Sequence, residues 1–100
     1  MKVVLAEAAE ADLEDIADFI AEDSPRRAAS FTKELLNAAY RLADFPSAYP
    51  LVPRYEDRGI RRRPFGSYLI FYVVASDQIT IVSILNSAQD YEAILFPENR

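Results

Sequence analysis

Three sets of side chains in this 100-residue chain have the types and spacing for chemistry. The first is basic. Arg61, Arg62 and Arg63 stand in a row inside Gly59–Val74 (GIRRRPFGSYLIFYVV), with Arg54 and Arg58 just ahead of them. A guanidinium binds carboxylates and phosphates through paired hydrogen bonds, so such a patch suits an acidic protein segment or a phosphate. The second set is acidic: Asp12, Asp15, Asp18 and Glu22 form a ladder at helical spacing. Carboxylates that bind metal or move protons must converge, usually with a histidine or a second row of ligands. No second acidic stripe exists, so a solvated helix face is expected. The third set is hydroxylic: Ser87 within Ser87–Tyr91 (SAQDY), and Tyr68, Tyr72 and Tyr91. The chain has no histidine and no cysteine. A Ser–His triad, a thiol nucleophile, a disulfide framework and a zinc–thiolate site are therefore excluded, and the usual base near neutral pH is missing. The tyrosines are expected in the core or at an interface. No cofactor or metal is implied.

Charge sharpens the reading of the arginines. The formal net charge is −5, yet the 54–66 stretch is positive. The overall field opposes non-specific nucleic-acid binding. On a strand, alternation puts Arg61 and Arg63 on one face and Arg62 on the other. Two uses remain open for them. One is internal: pairing with Glu56, Asp57 or the acidic helix, and blunting of a strand edge. The other is an acidic partner segment or a phosphate. The N-terminal stretch turns acidic too soon for a signal peptide. The apolar run near 67–75 is too short for a membrane-spanning helix. A cytoplasmic protein without membrane contact, built as one domain over residues 1–100, is expected.

The elements that must position these groups are readable in order. Lys2–Ala6 is a β-branched run and reads as a strand. Leu13, Ile16, Ala17 and Ile20 form one helix face, with Phe19 off the stripe, as a flank contact with the next helix or a contact with a partner. Ser24-Pro25 marks a helix start. The second helix runs to about Asp44. Its stripe Ala28, Phe31, Leu35, Ala38, Leu42 and Phe45 lies beside a second one containing Leu36, Ala39 and Tyr40. So wide an apolar arc exceeds what one packing surface needs, so this helix meets two neighbours: the sheet, the first helix or another protein. Prolines 46, 50 and 53 make Phe45–Arg58 a loop. Gly59–Phe65 is an edge strand or strand end, given Pro64. Ser67–Val74 is apolar on both faces and must be covered on both. Gln78–Leu85 alternates, with Ile79, Ile81 and Leu85 opposing Thr80, Val82 and Ile84. Asn86–Asp90 is a loop and Tyr91–Phe96 a turn or short helix. The order β-α-α-β-β-β predicts an α+β fold: a helical hairpin packed on one face of a small, mainly antiparallel four-stranded sheet.

Taken in order, ADLEDIADFIAED, SPRRAASF, LADFPSAYP, GIRRRPFGSYLIFYVV and ITIVSILNSAQD resemble the RelE/ParE superfamily of bacterial toxins, most of all its ParE branch, from about Val3 to Phe96. The resemblance implies the toxin of a type II toxin–antitoxin module, involved in plasmid stabilisation. It would be neutralised by a ParD-like antitoxin and would inhibit DNA gyrase by protein contact, not as an enzyme. Phe19, Leu36, Tyr40, Arg61, Arg62 and Arg63 are the expected antitoxin contacts. Arg61, Arg62, Arg63, Gln89, Asp90, Tyr91 and Phe96 are the expected target contacts. Where the ParE pattern often has an arginine before the aspartate after the last strand, this chain has Gln89. Two other readings accompany the first. One is a RelE-like, ribosome-dependent mRNA endoribonuclease using Arg61 or Arg63 on phosphate and Tyr91 in proton transfer. The other is a degenerate member that only binds antitoxin.

Overall fold

Ser24 and Pro25 divide the helical half of the chain. In the computed structural model, which describes residues 1–99, the Arg27 N–H donates to Ser24 Oγ at 3.1 Å and Pro25 opens the first turn. The cap satisfies one of the donors a helix start leaves unpaired. Helix α1 (Glu7–Ala21) precedes this break and α2 (Pro25–Tyr40) follows it, continuing into a 3₁₀ turn at Arg41–Ala43. The strands are β1 (Lys2–Leu5), β2 (Ile60–Phe65), β3 (Tyr68–Val74) and β4 (Gln78–Asn86), and a short helix α3 (Tyr91–Leu95) follows. Gly66, at φ 58°, turns β2 into β3, in a conformation that costs glycine little.

The sheet order is β1-β4-β3-β2. β2–β3 and β3–β4 are antiparallel, while β1 joins β4 in parallel, with Val3 beside Ile79 and Leu5 beside Ile81. The α+β architecture read from the element order is therefore the one observed. The place of β1, which no local pattern specifies, is beside the last strand.

β3 is covered on both faces, as its two apolar rows require. Ile70 and Tyr72 pack with Ile16, Leu35, Ala38 and Leu42 beneath the helical hairpin. Leu69 and Phe71 pack with Val52, Leu85 and Phe96 on the other side. That second cover is built from the Val52–Arg58 loop and the C-terminal turns, not from a helix layer.

Two sequence expectations change. Strict alternation along β4 groups Leu85 with Ile79 and Ile81. The pairing instead steps from Phe71↔Ser83 to Tyr72↔Ile81, leaving Val82 without an opposite residue. This bulge flips the side-chain parity beyond it. Ile84 joins Ile79 and Ile81 under the helices, and Leu85 joins Phe71 on the other face. The second change concerns Asp12. It is not a solvated member of an acidic ladder: Ser83 Oγ donates to Asp12 Oδ2 at 2.8 Å and the Ile84 N–H donates to the same oxygen at 2.9 Å. β1 ends at Leu5, opposite Ile81, while β4 runs on to Asn86. The carboxylate takes the place of the missing strand at that point and ties α1 to the sheet.

Hydrogen bonds to charged groups are worth more than neutral ones. Asp12→Ala is therefore expected to lower unfolding free energy by about 2 kcal/mol in urea denaturation. Asp15→Ala, on the exposed side of the same helix, is expected to change it by less than about 0.5 kcal/mol.

Candidate functional site

Alternation along β2 distributes the arginine row as the strand period requires. Arg61 and Arg63 lie on the helix side. Arg61 Nη1 donates to the Tyr49 carbonyl at 2.7 Å, and Arg63 Nη1 donates to the Ala38 carbonyl at 2.9 Å, near the C-terminal end of α2. The Arg63 guanidinium also lies 5.2 Å from the Tyr49 ring centroid, and its Nε is buried without a partner. Arg62 lies on the opposite face, where Nη1 donates to Tyr91 Oη at 2.7 Å. All three are half-buried.

Internal ion pairing of this row is not what the structure forms. Among the described residues the ion pairs are Arg27–Glu34, Arg54–Glu92 and Arg58–Glu98. The partners of Arg61–Arg63 are carbonyls and a phenol, which orient a guanidinium without neutralising it. The edge of β2 is blunted by chain instead of charge. The Val52 N–H donates to the Ile60 carbonyl at 2.9 Å and the Arg62 N–H to the Pro50 carbonyl at 3.1 Å.

The expected target contacts do not converge. Arg61 and Arg63 face the helices, while Arg62 and Tyr91 share the opposite side of the sheet. Gln89 lies in the loop after β4, where the Asn86 N–H donates to its Oε1 at 2.8 Å. It lines a recess of about 250 Å³ with Ile16, Phe19 and Tyr68. Asp90 caps α3, accepting from the Ala93 N–H at 3.3 Å. Phe96 has to be withdrawn as a surface contact. It is fully buried, stacked on Tyr55 at 3.9 Å between centroids with Arg58 over its ring. The second face of β3 needs a large apolar cover, and Phe96 supplies it.

The helical flank is open. Phe19 is 68% exposed and Tyr40 50%. Of the wide arc on α2, Ala28, Leu35, Ala38 and Ala39 are buried in the chain's own core, Leu36 is half-buried, and Tyr40 is left outside. Leu36 and Tyr40 share a groove of about 540 Å³ with Val3, Leu5 and Leu13. Phe19 sits at the other end of the hairpin. The expected antitoxin contacts thus form two apolar spots, with Arg61 and Arg63 off the C-terminal end of α2.

One aromatic that helical spacing places on the core stripe is exposed. Phe45 is 71% exposed and lines a recess of about 240 Å³ with Arg41, Tyr49 and Arg63. Its position three residues after Leu42 fits an α-helical stripe, but the backbone has already tightened to a 3₁₀ turn at Arg41–Ala43, and the side chain swings off the stripe. Pro46, directly after it, was the signal available in the sequence.

Tyr72 lies in the core. Its hydroxyl donates to the Pro46 carbonyl at 2.9 Å, and burial pushes its pKa above the ordinary value of 10.0, with Arg61 opposing the shift.

A family profile described as "ParE toxin of type II toxin-antitoxin system, parDE" matches residues 3–91. A search among curated proteins finds no significant match. Among the solved structures that share the fold are two from toxin–antitoxin systems. One is from the chromosomal ParDE toxin–antitoxin system of P. aeruginosa, with a TM-score of 0.73 and 20% identity over 86% of this chain and 95% of that one. The other is from the RelBE2 toxin–antitoxin complex of Mycobacterium tuberculosis, with a TM-score of 0.62 and 18% identity over 85% and 95%.

The buried phenol makes a pH prediction. Below pH 10.0 Tyr72 is neutral in both states. Above it the unfolded chain releases a proton that the folded chain retains, so stability falls as pH climbs toward the raised folded-state pKa. Tyr72→Phe is expected to cost about 1 kcal/mol at neutral pH through the lost hydrogen bond. It should also show a shallower alkaline loss than the parent, read from urea midpoints between neutral and strongly alkaline pH.

Proposed function

This chain belongs to the ParE toxin family of type II toxin–antitoxin systems, and from that membership we propose that it acts by protein contact, held by a ParD-like antitoxin and inhibiting DNA gyrase when free. The profile match across residues 3–91, spanning both helices and the whole sheet, carries this reading. The side chains support it. The hydrogen-bond partners of the arginine row are carbonyls and a phenol, so no carboxylate offsets its charge there. Apolar side chains stand exposed on the helical hairpin. The sequence offers no histidine to serve as a base. The antitoxin is an acidic segment that folds on binding, with Phe19, Leu36 and Tyr40 as its apolar contacts and Arg61 and Arg63, on the same side of the sheet, meeting its carboxylates. The site of action is the cytoplasm; among the described residues no helix is long and apolar enough to cross a membrane.

A second reading has one observation in its favour. Arg62 and Tyr91 are hydrogen-bonded at 2.7 Å on the face away from the helices. A guanidinium beside a phenol has the elements of a phosphate-binding and proton-transferring pair, as a ribosome-dependent ribonuclease would need.

Purified toxin is expected to inhibit gyrase supercoiling or to trap a cleaved DNA complex, and undisturbed supercoiling at high toxin concentration would sink the gyrase reading. A translation reaction with mapped mRNA ends, compared with Tyr91→Phe, tests the ribonuclease alternative; that alternative requires cut message, and the contact reading requires intact message. Growth arrest on expression without antitoxin distinguishes an active toxin from a member that only binds.

For the antitoxin, charge reversal of Arg61 or Arg63 is a poor probe, since each new carboxylate would face a carbonyl oxygen. Phe19→Asp and Tyr40→Asp alter exposed side chains instead. Each is expected to weaken antitoxin binding by about tenfold or more with little change in melting temperature. Unchanged affinity in calorimetry would place the antitoxin elsewhere.

A further inference from the structure

The sheet has two edges, β1 and β2. The segment at Pro50–Val52 covers β2 by backbone hydrogen bonds. Among the described residues nothing comparable covers β1. Its inner side is settled: the Lys2 N–H donates to the Asp77 carbonyl at 3.4 Å and the Ala6 N–H to the Ile81 carbonyl at 2.9 Å. In a parallel ladder the direction alternates, so the N–H and C=O groups of Val3 and Leu5 point away from β4. The side chains of Val3 and Leu5 are half-buried against the core beneath the helices, and with Leu36 they border the open groove. An uncovered apolar edge of this kind is a template for another strand.

We propose that the occupant of this edge is a second copy of the same chain, with the two β1 strands antiparallel about a two-fold axis normal to the sheet. Three features of the edge favour a copy of itself. First, a two-fold pairing places Val3 opposite Leu5 of the second copy and Leu5 opposite its Val3. Every outward N–H and C=O of the two residues then finds a partner. A slip of two residues one way sets Val3 against Glu7, where α1 begins and the backbone is no longer extended; a slip the other way sets Leu5 against Met1 and carries Lys2 away from Glu7. Second, the same register brings the exposed Lys2 of each copy beside the exposed Glu7 of the other. Opposite charges meet twice. Third, the axis keeps both helical hairpins on one face, so the Val3 and Leu5 side chains of the two copies join into one apolar strip between the two grooves.

The strand is short, so the interface is small. It gives a weak, reversible dimer instead of an obligate one. The dimer goes beyond the toxin reading and does not depend on it. Its failure would leave the gyrase and antitoxin experiments untouched.

Sedimentation equilibrium of the purified chain, from about 5 to about 500 μM, tests it. A monomer–dimer equilibrium is expected across that range. Lys2→Glu and Glu7→Lys each set like charges together and should shift the midpoint to severalfold higher concentration. The double variant should restore it. Val3→Pro removes one outward donor per copy, leaves the β1–β4 ladder intact, and should abolish the dimer while circular dichroism stays unchanged. A chain monomeric throughout the range overturns the proposal, and so does a dimer indifferent to all these variants. A monomer whose antitoxin affinity falls with Val3→Pro would assign the edge to the antitoxin and likewise overturn it.

Discussion

Burial of β3 on both faces is the constraint from which the rest of this molecule follows. A strand with two apolar rows needs two covers, and the chain supplies two different kinds. The helical hairpin closes one side through Ile16, Leu35, Ala38 and Leu42. The other side is closed by a loop and the C-terminal turns, with Val52, Tyr55 and Phe96. The C-terminal aromatics are thereby divided. Phe96 is consumed as packing, and Tyr91 is left at the margin, tilted against Phe71 at 5.2 Å and hydrogen-bonded to Arg62.

The same sheet divides the arginines. A row of three on a strand cannot act as one patch, because successive side chains leave opposite faces. Two of them reach carbonyls at the helical side and one reaches a phenol at the other. Neutral acceptors hold each guanidinium in place yet leave its charge unbalanced. The result is a positive rim held rigidly by β2 on an otherwise acidic chain, suited to an acidic partner more than to the long phosphate track of a nucleic acid.

The helical hairpin carries the complementary feature. Its inner face is filled by small and branched side chains, which lets the helices sit close to the sheet. Its outer face keeps Phe19 and Tyr40 in solvent, with Leu36 between covered and open. A monomer gains nothing from exposed aromatics at helical positions, whereas a partner that lays an apolar stripe along them does. Rigid charge on one element and exposed apolar surface on another suit recognition of macromolecules, in keeping with a ParE-family toxin.

Local pattern carried much of this. The helix break at Ser24-Pro25, the two-sided burial of Ser67–Val74, the opposed faces of Arg61 and Arg62, and the excess apolar arc of the second helix all rest on periodicity and on proline or capping chemistry, which act over a few residues. The element order and the family resemblance followed from the same stretches. What local pattern could not reach were contacts between segments far apart in the chain. The parallel place of β1 beside β4, the fate of Asp12 as a substitute strand partner seventy-one positions from Ser83, and the burial of Phe96 under Tyr55 each depend on which distant group arrives. The Val82 bulge belongs with them, since one unpaired residue reverses every side chain after it without altering the apolar composition. Phe45 is a local case: helical spacing was right in number, but the chain tightens to a 3₁₀ turn at Arg41–Ala43 ahead of Pro46, and the ring turns outward.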